Sequence, residues 1–107
     1  MTSTRTDLKQ FSSFAEFYPF YLAEHTNIIC RRLHFVGSSL VIALLISTFA
    51  TQDWALLWLL PVIGYGFAWV GHFFFEHNKP ATFKHPLYSF MGDWVMAKDM
   101  LIGKIPF

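Results

Sequence analysis

The sequence predicts an all-α membrane protein: a two-span transmembrane helical hairpin flanked by two amphipathic interfacial helices. Three observations lead there. Hydrophobic residues make up 54% of the 107 residues and only 14% are charged, against roughly 25% charged in soluble domains. The charge is also segregated, because between Arg32 and Glu76 the only charged side chain is Asp53. Asp53 divides that stretch into two apolar runs, 33–52 and 54–75, each near the ~20 residues that cross a hydrocarbon core of roughly 30 Å. Buried helices of a soluble bundle are the plainer alternative. The remaining chain is too short to cover two helices that are apolar all round. Residues 1–107 therefore read as a single membrane domain.

The elements follow in order. Arg5, Asp7 and Lys9 make the first residues polar, and without an apolar stretch near Met1 no signal peptide is expected. Ser13 and Glu16 fit a capping box, and Phe14, Phe17, Tyr18 and Tyr21 then recur at helical spacing. Pro19 inside that pattern predicts a kink or two short pieces. Thr26 and Asn27 are good N-cap types and predict a chain break before the first span. Thr51-Gln52-Asp53 is the polar turn between spans. In the second span Pro61 predicts a kink, and Gly64, Gly66 and Gly71 predict close helix contact. Pro86 suits the first position of a last helix, with Leu87, Phe90, Met91, Trp94 and Leu101 along one side, Gly92 weakening it, and Asp93 expected in solvent. Both amphipathic segments are expected on the membrane surface. Arg31 and Arg32 precede the first span, Lys79 and Lys84 follow the second, and the turn has neither Lys nor Arg. The positive-inside rule then puts both termini in the cytoplasm, with Trp54 and Trp58 in the opposite aromatic belt.

Several functions are excluded. A net charge of +1 without a basic patch argues against nucleic acid as a partner, and the hydrophobicity argues against disorder. Cys30, alone, supports neither a disulfide framework nor a Cys-rich zinc site, and no base is identified to make it a nucleophile. No phosphate loop, serine-nucleophile motif or zinc-protease HExxH motif occurs.

What remains is a group of histidines: His25, His34, His72, His77 and His85. At the helical rise per residue, His34 lies roughly 25 Å from Thr51 and His72 roughly 28 Å from Asp53, so the two share a depth near the cytoplasmic surface. His25, Glu76, His77 and His85 belong to the same end. His72 and Glu76 share a helical face, while His77 points well round it. His25 and His34 are about half a turn out of phase and converge only if the chain breaks between them. The bland account is that these histidines hydrogen-bond locally or settle among headgroups, and that Arg31 and Arg32 anchor the span. Against it stands the coincidence of depth, since ionisable groups in membrane segments are costly and tend to be functional. Imidazoles with one carboxylate and no thiolate suit non-haem Fe(II), and zinc or manganese would also fit.

Three stretches are recognisable: FYPFYLAEHTN at 17–27, CRRLHFVG at 30–37 and GYGFAWVGHFFFEHNKPATF at 64–83. They resemble the Mpo-like family of membrane 2-hydroxy fatty acid dioxygenases, formerly a domain of unknown function. The likeness covers nearly the whole chain, and GHxxxExNxPATF is its most specific block. The chain looks like the shorter bacterial branch, which implies a bacterial inner membrane. The resemblance implies an Fe(II)-dependent dioxygenase that takes a 2-hydroxy fatty acid and O2 and, by α-oxidation, yields an acid one carbon shorter. It carries the metal-ligand role onto His25, His34 and His72, with Glu76, Asn78 and Pro80 in the same motif. His77 and His85 depart from the family pattern, so His77 is the weaker candidate ligand. Within that reading Glu76 is a fourth ligand or orients a histidine. Asn78 hydrogen-bonds substrate or a ligand, and Arg31 or Arg32 pairs with the substrate carboxylate. Two other classes stay open: a zinc-dependent membrane lipid hydrolase and a non-catalytic membrane adaptor protein. The oligomeric state is not specified by the sequence.

Overall fold

The computed structural model describes residues 11–107, and the flank bearing Arg5, Asp7 and Lys9 lies outside the described residues. Ser13 adopts an extended backbone and its hydroxyl accepts from Glu16 N at 3.1 Å, opening α1 (Phe14–Ala23). The Glu16 carboxylate turns to the Ser12 hydroxyl at 3.0 Å rather than back to Ser13, so only half of the capping box forms. Pro19 lies inside α1 without dividing it. Its ring removes one backbone bond, and burial of Phe17 and Tyr21 on either side holds that turn.

Asn27 supplies the expected break. Its side chain accepts from Ile29 N at 2.9 Å and Cys30 N at 3.1 Å, which starts α2 (Ile28–Thr51). After Gln52, in a left-handed conformation, a tight helical turn (Trp54–Trp58) leads into α3 (Leu59–Val70). Pro61 is the third residue of α3, in the first turn, where helix N–H groups lack helical partners. The irregularity falls elsewhere: Gly71–Glu76 widens into a π-type turn that stops at His77, φ 60°. Such turns gather at functional sites.

Helices α2 and α3 run antiparallel in contact, and Ile28–Thr51 and Trp54–Glu76 are both long and apolar enough to cross a membrane. Of the three glycines expected to allow close approach, only Gly71 does so tightly. A Cβ there would meet Cys30 Cα and Sγ at 3.1 Å. At Gly64 the nearest neighbour is Val41 at 3.8 Å, and at Gly66 there is open space.

The chain continues through a short turn (Ala81–Phe83) into α4 (Pro86–Leu101), with Pro86 at its start. The apolar side read from the sequence is the outward face of α4, and its small and polar side faces the protein. Ser89, Gly92, Met96, Asp99 and Met100 are buried, while Leu87, Phe90, Met91 and Leu101 are exposed. α4 packs against α1, where Phe17 and Tyr21 meet Ala81, Met96 and Met100 in one apolar cluster. Gly92 makes this fit possible, since a Cβ would lie 2.8 Å from the Tyr21 ring. Asp93 is not in solvent. It is half-buried and accepts a short hydrogen bond from the Tyr21 hydroxyl. Among the described residues there is no strand.

Candidate metal centre

The break at Asn27 and the π-type turn after Val70 have a common result. His25 stands in the connector between α1 and α2, His34 on the second turn of α2, and His72 in the π-type turn. All three rings are buried, and one ligating atom from each lies within 4.8 Å of the others. The ring centroids are 4.5, 4.5 and 4.9 Å apart, each pair close to edge-on.

Each ring has one nitrogen committed to the protein. His25 Nδ1 lies 2.6 Å from the Tyr21 carbonyl oxygen, and His34 Nδ1 lies 2.8 Å from the Cys30 carbonyl oxygen. A carbonyl cannot donate, so both Nδ1 atoms carry the proton. His72 Nδ1 lies 2.6 Å from Asn78 Oδ1. The Asn78 amide is oriented independently, because its Nδ2 donates to the Glu24 carbonyl at 3.1 Å. An oxygen therefore faces His72, and His72 Nδ1 is the donor too. All three Nε2 lone pairs are left for a common centre, the tautomer that metal-binding histidines adopt when an outer partner holds the other nitrogen.

The contact between His25 Nε2 and His34 Nε2, 3.2 Å, then has a definite meaning. Burial, with the neighbouring His34 and His72, holds the His25 imidazole well below its usual value, so it is neutral. Two neutral rings with Nδ1 protonated present lone pair to lone pair, which is repulsive. A positive charge between them removes the repulsion. A proton would serve two rings, whereas a metal ion serves all three. Two nitrogens bonded to one cation at about 2.0–2.1 Å are roughly 3 Å apart, so the three-histidine set fits a divalent metal.

The wall of the site adds groups that sequence reasoning missed. A cavity of about 20 Å³ is bounded by the three histidines, Tyr21, Tyr65, Ser89 and Asp93 among others, room for about one water-sized species. The Ser89 hydroxyl is buried and has no hydrogen-bond partner. Burial pushes the Asp93 carboxyl up to about 6 against the opposing Tyr21 hydrogen bond. Burial and the Asp93 charge raise the Tyr21 hydroxyl well above its usual value, keeping it a donor. The Tyr21 ring also stacks on His25 at 4.0 Å.

Other sequence candidates lie apart from this centre. Glu76 is not within ligating reach of the triad. Its carboxylate accepts from Thr26 Oγ1 and Asn27 N, both at 2.6 Å, tying the end of the second apolar helix to the start of the first. The π-type turn aims it there, although spacing puts it on the face of His72. His77 is exposed at the helix stop. His85 packs among the rings of Phe11, Phe17 and Phe20. Arg31 donates to the Thr26 carbonyl at 3.0 Å and Arg32 to the Phe107 carbonyl at 2.8 Å. Both guanidinium groups thus serve main-chain carbonyls.

Searches of curated proteins and of solved structures returned no match. A family model described as "2-hydroxy-palmitic acid dioxygenase Mpo1-like" matches residues 11–105, and with all three histidines inside that match the chain belongs to this family.

Proposed function

We propose that the protein is a membrane-embedded Fe(II) dioxygenase that shortens 2-hydroxy fatty acids by one carbon. The observation that carries the reading is the trio of inward Nε2 atoms, each fixed by an acceptor on its own Nδ1. The family's description supplies the substrate class. The net reaction takes a 2-hydroxy acid and O2 to the shorter acid, CO2 and water, which balances atoms and electrons.

Iron, when bound by His25, His34 and His72, supplies the redox chemistry with O2. The protein's part follows from its own groups. Three neutral imidazoles leave the charge of a divalent cation uncompensated, in a setting of low dielectric where ions are costly unless paired. Such a centre favours an anionic, chelating head such as a 2-hydroxycarboxylate. The unpartnered Ser89 hydroxyl is available to donate to that head. Asp93, at about 6, is available to exchange a proton with the substrate hydroxyl. Asn78 acts through His72, holding its ring, and Glu76 positions the Thr26-Asn27 connector that carries His25. Arg31 holds the connector and Arg32 holds Phe107, rather than pairing with substrate.

The membrane reading rests on inverted burial. Only 17% and 11% of the most apolar windows of the two long helices are buried within the protein, and Ile46, Phe49, Trp58, Val62 and Phe74 are exposed. In a bilayer α2 and α3 form a transmembrane hairpin, with α1 and α4 at one interface. Arg31, Arg32, Lys79 and Lys84 at the histidine end support a cytoplasmic side for that end and for both termini, by the positive-inside rule.

Metal analysis of purified protein, with an aerobic and anaerobic assay on 2-hydroxypalmitate, tests the reading. Stoichiometric iron and O2-dependent formation of pentadecanoate are expected. Zinc in place of iron, with lipid hydrolysis that survives anaerobiosis, would overturn it in favour of a hydrolase.

A further inference from the structure

A groove of about 380 Å³ runs between α2, α3 and α4, and it shares Tyr65 and Asp93 with the cavity at the three histidines. We infer that this groove holds the acyl tail of the substrate, with its polar head at the histidines. The inference rests on the proposed 2-hydroxy acid chemistry and adds where the rest of the molecule lies.

The polarity of the lining changes along the groove. Ser38, Tyr65 and Asp93 lie at the histidine end, whereas Leu45, Leu60 and Pro61 lie at the far end. On α2, Ser38 is one turn beyond His34 and Leu45 lies three turns beyond. The rise from His34 to Leu45 is roughly 16 Å, a reach that suits a long chain. A groove that is polar at one end, apolar at the other and joined to a cation site at the polar end is complementary to a fatty acid carrying a 2-hydroxycarboxylate head. A bilayer lipid lying against the protein would have no reason to meet the histidine cavity. Gly64 lies between the two ends. A Cβ there would touch only Val41 Cγ2, at 3.8 Å, and both residues line the groove. A larger side chain at 64 therefore has space to grow into the tail path without backbone collision.

The test is photolabelling of the full-length protein in nanodiscs, using 2-hydroxypalmitate with a diazirine near its methyl end. Label on the Leu45 or Leu60 side chain, assigned to the single residue by fragmentation and displaced by unlabelled 2-hydroxypalmitate, is the expected result. Label spread over exposed Ile46, Phe49 and Trp58, matching that from a tail-labelled phosphatidylcholine, would overturn the inference. In the same preparation Gly64→Leu should cut label at Leu45 at least tenfold. It should also move turnover from 2-hydroxypalmitate to 2-hydroxyoctanoate, with roughly tenfold in KM for each two methylenes that lose burial. Gly64→Ala should keep the parent profile. Turnover with an unchanged chain-length profile in Gly64→Leu would overturn the groove while leaving the proposed activity intact. Specific label in the groove without O2-dependent turnover would do the reverse.

Discussion

At one end of the α2–α3 pair, His25, His34 and His72 are buried, and each has its Nδ1 held by an acceptor. At the other end, Phe49, Trp54 and Trp58 are exposed. The polar groups there bond only within their own turn, Thr51 Oγ1 to the Ser47 carbonyl at 2.7 Å and Asp53 N to Thr51 Oγ1 at 3.3 Å. Both ends belong to the same two long apolar helices. The difference teaches that the long helices carry two of the three histidines, His34 and His72, while α1 and α4 supply the cover that encloses them. They cover one end with protein, so that polar groups are enclosed and oriented, and leave the other to its surroundings.

The sharpest way to break this contrast is to remove a ring. His72→Ala should reduce bound metal from stoichiometric to background by elemental analysis and abolish turnover, while the helical circular dichroism is kept. Retained metal would show that the triad is not the site. Removing an orienting partner should cost less. Asn78→Ala should weaken metal binding by roughly 10–100-fold in a chelator competition, with no such change for His77→Ala, whose ring is exposed outside the triad.

The packing between α1 and α4 comes next. Gly92→Ala drives a methyl group into Tyr21, 2.8 Å from the ring, and should cost about 1–3 kcal/mol by overpacking, read as a lower unfolding midpoint in detergent. A smaller effect is expected from pH. Asp93 is raised from its usual 3.8 to about 6 by burial, so its neutral form favours the folded state. That contribution is fully present below pH 3.8 and is lost as pH rises through about 6. Asp93→Asn in the apoprotein should flatten this part of the stability profile; an unchanged slope would contradict the burial argument. The smallest effect belongs to the far end, where Trp58→Ala should leave metal content and turnover as they are.

Much of the site was legible in the sequence because it depended on distance along helices. His34 and His72 share a depth by counting residues, and Asn27 announces the break that turns His25 toward them. Glu76 was not legible as a tether, because its placement depends on the π-type turn, and no composition rule reveals one extra residue in a helical turn. Asp93 and Ser89 were misjudged or missed for another reason. They lie on the side of α4 that packs toward α1, and the pattern of one helix does not say that its small and polar side has a partner within the protein. Pro61 and Pro19 were read as interruptions, yet one falls in a first turn and the other is held by buried neighbours.

The nature of the ring acceptors has an outcome for genetics. Two of the three are peptide carbonyls, those of Tyr21 and Cys30, and every amino acid has one. Substituting either residue leaves that acceptor in being, so of the three ring acceptors only the Asn78 side chain would register as one in a saturation screen, whereas Tyr21 would register through its ring against His25. The other two acceptors are set by backbone path, which insertions, deletions or proline would disturb.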